Sequence, residues 1–124
     1  MILGDLNADP NDGASLPGAI QQLLHHPRVD AGFVPASDGA VEAAQRQGGA
    51  NAGHRSDPRH DTADFGDTGT GPGNLRCDYV LPSRDLEVVG GGVFWPAEDD
   101  PLHRLVRDNA SSDHRLVWLD VRVP

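Results

Sequence analysis

A chain of 124 residues has room for one domain. Hydrophobic residues make up 37% and aromatics 5%, against 15 glycines and 10 prolines, so a modest core must carry long loops around a few strong elements. The formal net charge of −9 makes the surface as a whole repel nucleic acid and anionic lipid, and a phosphate-bearing ligand would need a cation or a local arginine cluster to offset that field.

Met1-Ile2-Leu3 reads as a short buried strand that stops at Gly4-Asp5, where polar chemistry begins. Asp9 to Gly13 is dense in turn residues. A helix is expected next, with Ser15 as N-cap, Pro17 just inside its start, a stripe of Ile20, Leu23 and Leu24, and Pro27 as its stop. Residues 38–47 predict a second helix, ended by Gly48-Gly49. From Ala50 to Gly73 the chain is too polar to pack as a core element and reads as a functional or mobile loop, with a brief strand at Thr62–Phe65.

Three strands are expected after the loop: 76–81, then 86–95 broken by the glycines at 90–92, then 115–123. In the last of these, Leu116 and Trp118 point one way and Val117, Leu119, Val121 and Val123 the other, which predicts a strand covered on both faces. Pro101–Arg107 predicts a short helix. Cys77 is the one cysteine, so no disulfide forms within the chain. No apolar run approaches the length of a membrane span, no signal peptide is visible, and localisation is not legible.

Three short pieces carry the chemistry. In Gly4-Asp5-Leu6-Asn7 the acid and the amide are two apart, which at a strand end places both on one face; a carboxylate polarises water and an amide donates to a phosphoryl oxygen. Asp78 lies in mid-strand, where a carboxylate is costly unless paired, and an imidazole is its natural partner. Ser112-Asp113-His114 precedes the most hydrophobic strand. Taken singly, each piece is weak: a lone GDxN is mostly a turn, Asp78 reads also as an ordinary acid on an exposed strand face, and Ser-Asp-His alone reads better as a solvated loop. Together they are an inventory for metal-assisted attack of water on phosphorus, with no covalent nucleophile beside a base.

In this order the pieces Leu3-Gly4-Asp5-Leu6-Asn7-Ala8, Arg76-Cys77-Asp78-Tyr79-Val80-Leu81 and Ser111-Ser112-Asp113-His114-Arg115-Leu116 resemble the C-terminal half of the endonuclease/exonuclease/phosphatase superfamily, the DNase I-like phosphoesterases, and the long polar loop around His54 to Phe65 resembles its bacterial, often secreted, members. The resemblance implies that Asp5 positions or deprotonates the attacking water and that Asn7 contacts the phosphate. It implies that Asp78 pairs with His114, that His114 stabilises charge on the phosphoryl oxygens, and that Asp113 and Asp5 hold the metal. Mg²⁺ or Mn²⁺ suits such oxygen ligands. Where the polar loop before the Asp78 strand borders the substrate groove, Arg55, Arg59 and Arg76 are the best phosphate-contact candidates, against the default of surface arginines without such a role. The substrate is a phosphoester: nucleic acid, nucleotide, lipid headgroup or sugar phosphate.

The implied fold is α/β: half of a DNase I-like four-layer α/β sandwich, with one mixed, mostly antiparallel sheet and flanking helices over residues 1–124. The family's first half supplies a metal-binding Glu that Glu42, Glu87 and Glu98 do not replace. The alternative to an active phosphoesterase is therefore an inactive fragment, or a half-domain that needs the missing first half. Two competing readings are weaker. A calcium loop starting at Asp5 fails where Pro10 stands for Gly and Leu16 for Glu. A cluster of His54, Asp57, His60, Asp61 and Asp64 fits no zinc spacing.

Overall fold

The computed structural model describes residues 1–66 and 68–123. Its strands pair as three two-stranded antiparallel ribbons. Strand β1 (Ile2–Asp5) pairs with β4 (Asp78–Leu81), β2 (Ala63–Asp64) with β3 (Asn74–Leu75), and β5 (Glu87–Val93) with β6 (Val117–Arg122). The architecture is α/β with small antiparallel sheets; β6 runs beside β4 without a hydrogen-bonded ladder joining them. Among the described residues no helix is long and apolar enough to cross a membrane.

Two apolar clusters hold these ribbons. Ala8, Ile20, Val29, Tyr79 and Leu81 form one, with Leu6, Leu23 and Leu24 against it. Ala40, Ala43, Val93, Trp95 and Val106 form the other. Helix α2 (Asp38–Gln47) faces the second cluster with Gly39, Ala40, Ala43 and Ala44, the spacing of one helical face. The Ser37 hydroxyl caps it by accepting from the Ala40 N–H at 3.3 Å, and Gly48 ends it at φ +62°.

Several expectations need correction. The first helix shrinks to α1 (Gln21–Leu24), because Gly18 at φ +78° breaks the turn before it. Strand β1 is exposed along its whole length, not buried. The glycines at 90–92 do not interrupt β5, which passes through them with one register shift between Val88 and Gly90. Pro101–Leu105 is a 3₁₀ turn, started by the Asp100 carboxylate accepting from the Leu102 N–H at 2.8 Å. Strand β6 is covered on one face only: Leu116 is 67% exposed and Trp118 40%.

The polar stretch after residue 50 is also not the solvated loop that its composition suggests. Asp61, Thr62 and Asn74 are among the most buried residues. Asn74 donates from Nδ2 to Gln47 at 2.7 Å and from its N–H to Asn51 Oδ1 at 2.7 Å. Gln47 in turn donates to Asp64 at 2.8 Å. This is a hydrogen-bonded polar core laid against α2, and each buried polar group in it needs the others.

Candidate active site

The register of β1 against β4 sets Asp5 directly opposite Asp78. Like charges facing across a ladder repel, so the pair is unfavourable without further partners. Asp78 finds two. The buried Thr62 hydroxyl donates to Asp78 Oδ2 at 2.8 Å while accepting from the N–H groups of Cys77 and Asp78, each at 2.9 Å. His114 Nδ1 donates to the same oxygen at 2.8 Å. One ligand atom from each of Asp5, Asp78 and His114 lies within 4.8 Å of the other two.

The delivery of His114 is local. Ala63 and His114 form an isolated antiparallel bridge, flanked by Asp64 N–H to Asp113 carbonyl at 2.8 Å and Arg115 N–H to Thr62 carbonyl at 2.8 Å. Thr62 thus positions the acid through its side chain while its backbone anchors the segment carrying the imidazole. The buried Arg115 secures that segment from behind. Its guanidinium stacks 4.6 Å over the Trp95 ring and donates to the Ser112 carbonyl at 2.9 Å and to Asn109 Oδ1 at 3.1 Å. Phe65 meets the imidazole edge-on, with ring centroids 5.4 Å apart.

Electrostatics follow from these contacts. Burial pulls the His114 pKa down, but the hydrogen bond and charge of Asp78, with Asp5 and Asp113 adding, outweigh it, and the net shift is upward from 6.5. With Nδ1–H on Asp78, the imidazole presents Nε2 to any ligand. Burial, with Asp5, Asp78, Asp9 and Asp61 near it, pushes the Cys77 thiol up to about 12. A thiol so held is protonated and inert, which removes it as a nucleophile.

Asn7 continues the strand end. Its N–H donates to Asp5 Oδ1 at 2.8 Å, closing an Asx turn, and its φ of +50° is one that Asn tolerates. Its side chain lines a cavity of about 450 Å³ with Asp9, Asp12, Phe65, Leu75 and Cys77. Asp9 is the fixed point of that wall. Its Oδ1 accepts from the N–H groups of Asn11 and Asp12, each at 2.9 Å, and from the Ser56 hydroxyl at 2.8 Å, while Oδ2 accepts from the Arg76 N–H at 2.9 Å.

Two expected site residues lie elsewhere. Asp113 is exposed and lines a shallow cavity with Asp64, Asn109, Ser111 and Ser112; its carboxylate is outside the converging group. Neighbouring side chains on an extended segment point to different sides, and His114 takes the inner one. Arg76 is buried, with its guanidinium 4.4 Å over the Tyr79 ring, and lines a separate cavity. The residues His54, Asp57, His60, Asp61 and Asp64 form no converging group among the described residues. Thr62, Asp9, Arg115 and Phe65 went unrecognised as supports. The Asp9-to-Gly13 turn, the brief strand at Thr62–Phe65 and the Ser111–Leu116 piece that holds Arg115 were the sequence signals for them.

A family model described as Endonuclease/Exonuclease/phosphatase family matches residues 1–114, a span that includes Asp5, Asp78 and His114. The chain belongs to the Endonuclease/Exonuclease/phosphatase family. Members of this family are hydrolases acting on phosphoesters, generally with divalent metals. Searches of curated proteins and of solved structures each found no match. The donor set fits the family's chemistry: the two carboxylates suit a hard divalent cation and supply the negative charge that would hold one, with the imidazole beside them.

Proposed function

We propose that this chain carries the catalytic centre of a divalent-metal-dependent phosphoesterase, cleaving a phosphodiester or phosphomonoester by attack of water. The observation that carries the reading is the placement of Asp5 opposite Asp78, with His114 bonded to the same Asp78 oxygen that Thr62 holds. A repulsive carboxylate pair so carefully fixed is what a site for a cation and a phosphate requires.

Asp5, exposed and with one oxygen free of the Asn7 N–H, accepts a proton from the attacking water. Asn7 Nδ2 donates to a phosphoryl oxygen. The water oxygen bonds to phosphorus, the ester P–O bond breaks, and the leaving alkoxide takes a proton from solvent. His114, charged over a wider pH range by its raised pKa, stabilises the negative charge on the phosphoryl oxygens. Asp78 fixes its tautomer. Asp5 and Asp78 would hold Mg²⁺ or Mn²⁺, with Asp113 adding charge from the rim; the ion supplies charge neutralisation and a polarised phosphoryl group.

The reading includes a half-domain. Glu42 accepts from the Glu98 N–H, Glu98 pairs with Arg46, and Glu87 pairs with Arg122, so no glutamate of the chain stands at the site. The acid that completes the metal site, and the layer that covers the exposed faces of β1 and β6, come from a complementary first half of a four-layer sandwich. The isolated chain is then a weak enzyme.

Hydrolysis of bis-p-nitrophenyl phosphate with added Mg²⁺ or Mn²⁺ tests this. Turnover is expected to vanish with EDTA and to fall about 10²–10⁴-fold in Asp5→Asn and His114→Ala. Turnover indifferent to both substitutions would remove these residues from the chemistry.

A further inference from the structure

On the far side of the Asp9 staple from Asn7 lies a second cavity, of about 210 Å³, whose wall includes Asn11, Arg55, Ser56, Asp57, His60 and Arg76. Arg76 is 8% exposed, yet its guanidinium makes no hydrogen bond and no ion pair among the described residues. Its one close partner is the Tyr79 ring beneath it. Asp9, the nearest carboxylate of the staple, meets Arg76 through the backbone N–H and spends its remaining capacity on Asn11, Asp12 and Ser56. Guanidinium donors that no carbonyl or side chain takes up, at the wall of a cavity, are free to meet the oxygens of an anion.

The rest of the wall has the complementary character. His60 is fixed by Nδ1–H donating to the Pro35 carbonyl at 2.8 Å, which leaves Nε2 without a partner among the described residues. Arg55 is anchored by donating to the Asn11 carbonyl, with Asp12 Oδ1 3.9 Å from its Nε. The one carboxylate in the wall, Asp57, is neutralised by Arg59 at 2.9 Å and accepts from the Arg59 N–H at 3.1 Å. In a chain of net charge −9 this cavity is lined by two arginines and an imidazole against a single paired acid.

We propose that this cavity is an oxyanion-binding site for a phosphate group, separate from the catalytic cluster, with the Arg76 guanidinium as its floor. A planar fork of donors matches two oxygens of a tetrahedral anion at once, which a lone ammonium cannot do. Arg76 precedes Asp78 by two residues, and Asn11 follows Asn7 by four, so the same two segments of the chain supply both sites. The bound group is a phosphate flanking the scissile one or free inorganic phosphate. The site itself stands on this geometry; only its assignment to a flanking phosphate rests on the phosphoesterase reading.

Calorimetric titration of the full chain with inorganic phosphate, in EDTA, tests the site without turnover. Saturable binding is expected, retained in His114→Ala and weakened about tenfold or more in Arg76→Lys, which keeps the charge and loses the fork. Arg55→Ala and His60→Gln, on the cavity rim, give a second reading should Arg76→Lys unfold by circular dichroism; each is expected to weaken binding several-fold. Absence of saturable binding would overturn the site, and so would binding lost in His114→Ala but unchanged in the rim variants. The sources separate on substrates. A higher KM in His60→Gln for a 5′-phosphorylated dinucleotide, but not for bis-p-nitrophenyl phosphate, identifies the flanking phosphate. An unchanged KM for both, with phosphate binding weakened, identifies the free ion. A chain that hydrolyses neither substrate yet binds phosphate retains the site and loses the phosphoesterase reading.

Discussion

At the scale of single residues, Thr62 decides what His114 can do. Its hydroxyl and the imidazole share Asp78 Oδ2, so the acid can rotate only by giving up both. Asp78→Asn removes the charge that raises the His114 pKa and leaves at most a neutral hydrogen bond against the pull of burial, and is expected to bring it down toward 6.5 or below. Thr62→Val keeps the charge but frees the acid, so an intermediate shift is expected. Proton NMR titration of the imidazole Cε1–H, assigned with His114→Ala, reads both. A histidine pKa raised in the folded state stabilises below the unfolded value of 6.5 and stops doing so as pH rises through the folded value. Asp78→Asn therefore costs more stability in acid than in base, and equal costs would contradict the coupling.

Asp61 presents the opposite case. Burial, with Asp9, Asp12 and Asp57 adding repulsion, pushes its carboxyl up to about 8 from 3.8. Between those values the folded chain keeps a proton that the unfolded chain has released. Stability from this group thus falls as pH rises across the window, by about 1.4 kcal/mol per pH unit at most. Asp61→Asn cannot ionise and should flatten that slope, ending more stable than the wild type at the alkaline end. Urea denaturation at intervals from pH ~4 to ~9 measures both curves, and parallel curves would show that Asp61 ionises freely.

At the scale of elements, what was legible depended on how local the cause was. Helix α2 stands where its cap and glycine stop place it, because Ser37 and Gly48 act within one turn. Asp5, Asp78 and His114 were legible as types in order, but the Thr62 hydroxyl that binds two of their segments was not, since a lone Thr in a polar stretch carries no pattern. The polar core failed for the same reason: Gln47, Asn51, Asp64 and Asn74 compose like a loop, and only their mutual bonds bury them. The first helix was misjudged because its apolar stripe outweighed Gly18. Gly39 gives this scale its prediction. Gly→Ala within a helix ordinarily stabilises by up to about 1 kcal/mol. Here a Cβ would lie 2.1 Å from the Trp95 carbonyl oxygen and 2.5 Å from that of Pro96, backbone atoms that cannot turn aside. Gly39→Ala is expected to destabilise by about 1–3 kcal/mol as α2 is driven off β5. A urea midpoint that rises instead would mean that the helix is free to shift.

At the scale of the whole molecule, the acidic chain gathers its site at one junction and leaves apolar surface elsewhere. Leu3 on β1, Val89 on β5, and Leu116, Trp118 and Val123 on or beside β6 are all at least 40% exposed. Scattered singly, such residues are ordinary, and Asp120 and Arg122 share the outward side of β6 with Trp118; the half-domain reading takes the apolar ones as parts of a face that is covered in use. β6 alternates with Val117, Leu119 and Val121 inward, so its outward side is not a frayed remnant but the second face of an ordered strand. The half-domain reading requires that face to be sticky when bare. The isolated chain is expected to bind the dye ANS and to self-associate with rising concentration in sedimentation velocity. Leu116→Ser should weaken both while moving the urea midpoint little, since Leu116 is 67% exposed and surface changes of this kind stay within about 0.5 kcal/mol. A monomer at all concentrations without dye binding would leave the exposed faces as surface that this chain tolerates, and the complementary layer would lose its strongest physical reason.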